Sequence, residues 1–228
     1  ASATATIVPA PIAYTATADQ TQICDGDPVT VTLVNSQTGV TYQLLDQNGN
    51  NIGASQNGTD GQALTFPANG LTSPNSPYAL TIQANVGGQC PKLMNFNALI
   101  QVSPKPEPYA VSLEAGSSVT AKEYCQGDLV TVTVDSSQVG VFYSLFMNTN
   151  PVPLANTPGN GAPITFNVPN NVLLGSPQGV AYTFKVLANT GFCKDTMQPP
   201  VVATVYRIPQ EPKITGTDEI CEETTAKV

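Results

Sequence analysis

Histidine and tryptophan are absent from this 228-residue chain, and charged residues make up only 11% of it, against roughly 25% in ordinary globular domains. Without His, the Ser–His and Cys–His pairs that activate nucleophiles are excluded. A zinc site is not expected, because no Cys stands in a CxxC pair and such sites need close-spaced Cys or His ligands. Cations are scarce too. There are 8 Lys and Arg against 16 Asp and Glu, for a net charge of −8 and a pI near 4.2. That balance argues against nucleic acid, whose phosphates need Lys and Arg to displace counterions, and against charge-driven binding to anionic lipid. No apolar run reaches the ~18 residues of a membrane span, so no membrane insertion is expected. The chain opens on ASATAT, without Met and without a signal peptide, and reads as a mature product or a fragment.

Apolar residues nonetheless reach 41%, enough for a core. Twenty Pro and 18 Gly punctuate the whole length, the pattern of many short strands joined by turns. Five Cys in so uncharged a chain point to an oxidising compartment.

The chain repeats itself. ICDGDPVTVTL (Ile23 to Leu33) returns as YCQGDLVTVTV (Tyr124 to Val134), and Cys24 returns as Cys125, 101 residues on. SQTGVTYQL (Ser36 to Leu44) returns as SQVGVFYSL (Ser137 to Leu145). YALTIQAN (Tyr78 to Asn85) answers YTFKVLAN (Tyr182 to Asn189), and Cys90 answers Cys193. Proline-rich stretches, PKPEP (Pro104 to Pro108) and PQEP (Pro209 to Pro212), close the units. Residues 1–11 are read as the last strand of a preceding repeat, 12–108 as repeat one, 109–212 as repeat two and 213–228, with DEIC (Asp218 to Cys221), as the start of a third. A period near 100 exceeds the ~20–50 residues of solenoid units and suits a string of domains.

Within a repeat the hydrophobic period is two. Val29, Val31 and Leu33 alternate with Thr30 and Thr32; Val130, Val132 and Val134 alternate with Thr131 and Thr133. Strands place alternate side chains on opposite faces, so each run has one buried and one wet face. About seven such runs per ~100 residues predict an all-β antiparallel sandwich for each repeat.

The order CxGDxVTVT, a Tyr-centred strand, YxxxxxAN, a Gly-Cys loop and a Val-rich last strand resembles the immunoglobulin-like or fibronectin-III-like repeats of large surface proteins of gliding Bacteroidota, such as their type IX-secreted gliding-motility adhesins. The resemblance implies tandem Ig-like/FnIII-like β-sandwiches, an extracellular cell-surface location and no catalysis. Two features depart from antibody domains. Tyr42 and Tyr143 stand where a core Trp is usual, and no Tyr lies two residues before the second Cys.

Two disulfide schemes are open, with free thiols as the third alternative. Within-repeat pairing joins Cys24 to Cys90 and Cys125 to Cys193. However, Cys24 falls at the first turn and Cys90 after the sixth strand, a strand length of ~20 Å apart in a standard sandwich, whereas a disulfide needs Cα atoms within ~7 Å. Between-repeat pairing joins Cys24 to Cys193 and leaves Cys90 and Cys125 for repeats outside the fragment. Cys221 is unpaired by truncation in either scheme.

Other candidate sites have plainer readings. Asp25, Asp27 and Asp128 are possible paired carboxylates of the kind glycosidases use, but Gln126 replaces Asp25 in the second copy, and Gly-Asp suits a turn. DQNGN (Asp46 to Asn50) has the oxygen spacing of a calcium loop; Asn48-Gly49 makes it a hairpin turn first. Tyr14, Tyr109 and Tyr124, near the repeat borders, are read as interface packing residues before sugar platforms. NGT at Asn57 matches the N-glycosylation pattern, and DTM at Thr196 resembles the Bacteroidota O-glycosylation motif. No cofactor is expected. The chain is expected to be a structural stretch, stalk or filament of a large adhesin, partnered by neighbouring repeats and further by surface polysaccharide or other surface proteins. A glycan- or protein-binding module and an accessory module of a secreted enzyme are the alternatives.

Overall fold

A computed structural model describes residues 7–96 and 98–211. The chain divides into two compact units: unit one is Ala1–Glu107 with Asn189–Asp195, and unit two is Pro108–Ala188 with Thr196–Val228. Of the expected flanking segments 1–11 and 213–228, residues 1–6 and 213–228, Cys221 included, lie outside the described residues, and Ile7–Pro11 carry no strand.

Unit one holds β1 (Ala16–Ala18), β2 (Gln22–Cys24), β3 (Val29–Leu33), β4 (Val40–Leu45), β5 (Asn51–Asn57), β6 (Leu64–Ala68), β7 (Tyr78–Val86), β8 (Gln89–Leu93) and β9 (Ala98–Ser103). They form two sheets, β1-β3-β6 and β2-β9-β7-β4-β5, with β8 also on β7. Nine strands replace the expected seven for two physical reasons. The first strand is broken: β1 pairs antiparallel with β3, whereas β2 pairs parallel with β9 in the other sheet. The break follows Asp19, whose carboxylate accepts the Thr30 N–H at 2.9 Å while its own N–H donates to the Thr30 carbonyl at 3.0 Å. In addition, β7 turns back on itself at Gly87-Gly88 to add β8.

The predicted alternation is realised. Val29, Val31 and Leu33 are fully buried while Thr30 and Thr32 are half-buried. They meet Tyr42, Leu44, Phe66, Leu80, Ile82 and Ile100 from both sheets in a single core. Two β-sheets closed over such a core are a β-sandwich.

The second repeat follows the same plan with β10 (Val111–Ser112), β11 (Ala121–Cys125), β12 (Val130–Val134), β13 (Phe142–Met147), β14 (Ala155–Pro158), β15 (Ile164–Val168), β16 (Val180–Asn189), β17 (Lys194–Thr196) and β18 (Val201–Tyr206), all in unit two except Asn189 of β16 and Lys194–Asp195 of β17. Its sheets are β10-β12-β15 and β11-β18-β16-β13-β14, with β17 on β16. Again the strand that precedes the Cys pairs parallel with the last one, β11 with β18. The core gathers Val130, Val132, Val134, Tyr143, Phe166, Phe184 and Val201. Tyr14 and Tyr109 pack at the margins of their own unit's core, and Tyr124 lies within that of unit two.

The second repeated phrase, Ser-Gln-x-Gly-Val-x-Tyr, encodes one tight corner. Tyr42 and Tyr143 are completely buried, and each hydroxyl accepts a backbone N–H, from Gln37 and Gln138, both at 3.0 Å. Ser36 is buried at the same corner. Its hydroxyl accepts from the Thr59 N–H at 3.0 Å and lies 2.7 Å from the Gln62 carbonyl, to which it donates. Ser137 does the same with Asn160 and Ala162. A buried hydroxyl without such partners would be costly. The chain crosses this corner at Gly58 and Gly159. A Cβ at Gly58 would lie 2.7 Å from the Tyr42 ring and nearer still to the Gln37 carbonyl, and one at Gly159 would strike the Gln138 carbonyl.

Gly58→Ala and Gly159→Ala are therefore expected to destabilise their units by about 1–3 kcal/mol, the usual cost of overpacking. Tyr42→Phe, which strands the Gln37 N–H, is expected to cost about 1 kcal/mol. Urea unfolding followed by far-UV circular dichroism checks both.

Candidate functional site

The phrase C-x-G-D folds into the same turn twice. In unit one the Asp27 N–H donates to the Cys24 carbonyl at 2.9 Å, and the Asp27 carboxylate accepts the Cys24 N–H at 3.4 Å. In unit two the Asp128 N–H donates to the Cys125 carbonyl at 3.0 Å, and the carboxylate accepts the Cys125 N–H at 2.7 Å. The intervening Gly26 and Gly127 have φ of 76° and 100°, a region that L side chains rarely adopt. Asp25 accepts from the backbone N–H of Ser73 and, at 3.1 Å, from its hydroxyl. Gln126 takes the corresponding place with its side-chain oxygen, accepting the Gly175 N–H at 3.2 Å. An amide can replace a carboxylate here because the task is to accept a hydrogen bond. Asp25, Asp27 and Asp128 are thus held as turn and loop acceptors, the plainer of their two readings.

Asp46 is a hairpin residue. Its carboxylate accepts the backbone N–H groups of Asn48 and Asn50, both at 2.8 Å, and the Asn50 side-chain amide at 3.0 Å. Gly49, at φ 81°, closes the turn. Those hydrogen bonds hold the carboxyl below its ordinary pKa, the Asn50 amide most of all.

The turn places Cys24 at the end of β2, in register with Ser103 at the end of β9. There Cys24 forms a disulfide with Cys193, with Cα atoms 5.7 Å apart and 169 residues between them in sequence. The within-repeat scheme is therefore corrected: Cys24 does not pair with Cys90, nor Cys193 with Cys125, and both Cys90 and Cys125 are free. Cys90 follows the far end of β7, and β7 runs antiparallel to β9. The six residues of β9 alone span about 20 Å, too far for a disulfide.

The loop that carries Cys193 is built to present it. The Cys193 N–H donates to the Thr190 hydroxyl at 3.0 Å, and the Thr190 N–H donates to the Cys193 carbonyl at 2.9 Å. Asn189 accepts the Gly191 N–H at 2.8 Å, with Gly191 at φ 98°. Segment Asn189–Asp195 comes from the second repeat in sequence yet belongs to unit one. Cys193 is fully buried there, 3.6 Å from the Ser103 carbonyl, and Cys24 is only 8% exposed. Beside them Lys105, from PKPEP, pairs with Asp27 at 2.8 Å. The Lys105 hydrogen bond is the largest influence holding the Asp27 carboxyl below its ordinary pKa of 3.8. Nothing in the sequence announced this ion pair. The only available signal was a Lys between two prolines, two residues after β9.

Asn57 is exposed at the end of β5, where its side-chain oxygen accepts from the Thr41 hydroxyl at 3.2 Å. Thr196 ends β17 and is half-buried, lining a depression with Phe146, Lys185 and Leu187. Among the described residues no cluster of acidic, Cys or His side chains is placed to hold a metal. No helix among them is long and apolar enough to cross a membrane.

The fold is that of two Ig-like/FnIII-like β-sandwiches, and the Cys24–Cys193 disulfide lies within unit one. Among solved structures, the human OSCAR ligand-binding domain is similar at 11% identity, with a TM-score of 0.34 over 85% of this chain and all of that one. Fibronectin(III)-like modules of Clostridium thermocellum CbhA are similar at 10% identity, with a TM-score of 0.36 over 88% of this chain and all of theirs. The BSP domain of a biofilm-associated protein is similar at 12% identity, with a TM-score of 0.28 over 89% of this chain and 30% of that one. No protein-family model matches the chain, and no curated protein sequence matches it.

Replacing Cys24 and Cys193 together by Ser is expected to lower the thermal midpoint of unit one. Loop-closure entropy sets an upper bound of about 5 kcal/mol for so long a loop. Scanning calorimetry measures the shift, and limited proteolysis should newly cut within 189–195. The Asp27–Lys105 pair contributes above the unfolded carboxylate pKa of about 3.8, and its contribution is lost as pH falls through the lower folded value. Both side chains are more than a third exposed, so Asp27→Asn should cost at most about 1 kcal/mol at pH 7. The wild-type and variant urea midpoints should converge in acid below that folded value.

Proposed function

We propose that this chain is a non-catalytic structural segment, a stalk or filament, of a large extracellular cell-surface adhesin of the gliding-motility type. The observation that carries this reading is the Cys24–Cys193 bond, which anchors a loop of one repeat in the unit formed by the repeat before it. A covalent link across 169 residues of a repeated sequence is of use where chains are pulled or digested, because it keeps one module from being unravelled from its neighbour. Disulfides persist in oxidising surroundings such as the cell exterior. The repeated carboxylates, the first place to look for chemistry in a chain without His, are occupied in turns and loops. Thr-rich strand faces and a net charge of −8 favour solubility of a long array. Proline fixes φ, so a junction such as PKPEP restricts the link between modules. Neighbouring repeats are the first partners of such a segment; polysaccharide or other surface proteins would bind elsewhere in the array.

Antibodies raised against the chain should label intact, unpermeabilised cells, and brief protease treatment of those cells should remove the signal. Loss of the parent protein should impair surface spreading without altering a secreted enzyme activity. Labelling seen only after permeabilisation would sink the proposal.

A further inference from the structure

The two ends of the disulfide each have a counterpart that is unpaired. Cys125 ends β11 in register with Tyr206 of β18, as Cys24 ends β2 in register with Ser103 of β9. The turn behind it is the same, down to the Asp128 carboxylate on the Cys125 N–H. What differs is cover. Cys24 is 8% exposed and Pro106 is buried, whereas Cys125 and Pro209, at the matching steps, are exposed. Where unit one has Lys105 paired to Asp27, unit two has Ile208, 57% exposed, and Leu129 beside Asp128 is 62% exposed. Glu123, Tyr124, Cys125, Asp128 and Tyr206 line an open depression.

Cys90 mirrors Cys193 in the same way. It follows the long strand β7 on a glycine turn in which Asn85 accepts the Gly88 N–H at 3.0 Å, as Asn189 accepts that of Gly191. It is a free, partly exposed thiol.

We infer that the Cys125 end of unit two is a docking site for the glycine–cysteine loop of a further repeat of this kind, and that the two close a disulfide equivalent to Cys24–Cys193. Cys90 is the complementary half, offered to the C-x-G-D cysteine of a preceding repeat. One pattern, first-turn cysteine to loop cysteine of the next repeat, then runs through the array. The inference rests on the reading of the chain as an array segment. Each closure joins two sulfurs, with two thiol protons and two electrons lost. A small-molecule disulfide accepts the electrons by thiol–disulfide exchange and leaves as two thiols.

A second copy of this chain supplies both halves. The chain carrying Cys221→Ser is incubated in a buffer of oxidised and reduced glutathione, then mapped without reduction at low pH. The expected product is an end-to-end oligomer joined by Cys125 of one chain and Cys90 of another. That mixed bond should outnumber Cys125–Cys125 and Cys90–Cys90, with Cys24–Cys193 intact as the mark of a folded chain. Cys125→Ser or Cys90→Ser should each abolish the oligomer. Bonds between like cysteines in equal abundance, or folded monomers whose two thiols are merely capped by glutathione, would overturn the inference. Surface labelling of cells would be unaffected by either result, so failure here leaves the proposed function standing.

Discussion

The parallel pairing of β2 with β9 is the constraint on which the arrangement of this protein depends. A strand that starts in the small sheet, on β3, leaves it after Asp19 and joins the large sheet beside the last strand. Because the two run the same way, the end of β2 lies where β9 leaves the sandwich. Cys24 is carried to that end and away from Cys90, which follows the opposite end of β7. The same pairing of β11 with β18 carries Cys125 to the corresponding place.

The turn that follows that strand explains the most recognisable words in the chain. C-x-G-D is spelled twice because a glycine at positive φ and an Asp that caps the Cys N–H are both needed to stop the strand and send the chain into β3 or β12. The carboxylates of these phrases accept hydrogen bonds within the turns and loops that they shape. The position between Cys and Gly tolerates Asp25 in one copy and Gln126 in the other, since either offers an oxygen to a loop N–H.

A second polar arrangement lies inside each sandwich. Tyr42 and Tyr143 fill the core while their hydroxyls accept a backbone N–H, and Ser36 and Ser137 tie down the neighbouring loop. Every one of these polar groups has a partner, which keeps so deep a set of hydroxyls compatible with burial. The close passage of Gly58 and Gly159 beside the rings is the steric counterpart of those hydrogen bonds.

The sequence by itself determined the all-β class, the repeat, its period and the buried faces. Alternation of Val with Thr is a local property, and a repeat copies every local signal. It also showed DQNGN as a hairpin and the C-x-G-D turn, because turn chemistry is written in adjacent residues. Only the tertiary structure decided which cysteines meet. That outcome depends on β2 changing sheets and on a loop 169 residues away being packed in unit one. The Lys105–Asp27 pair and the hydroxyl partners of Ser36 were equally invisible. Contacts between residues far apart in the chain follow from how sheets close, and no short stretch of sequence carries that information.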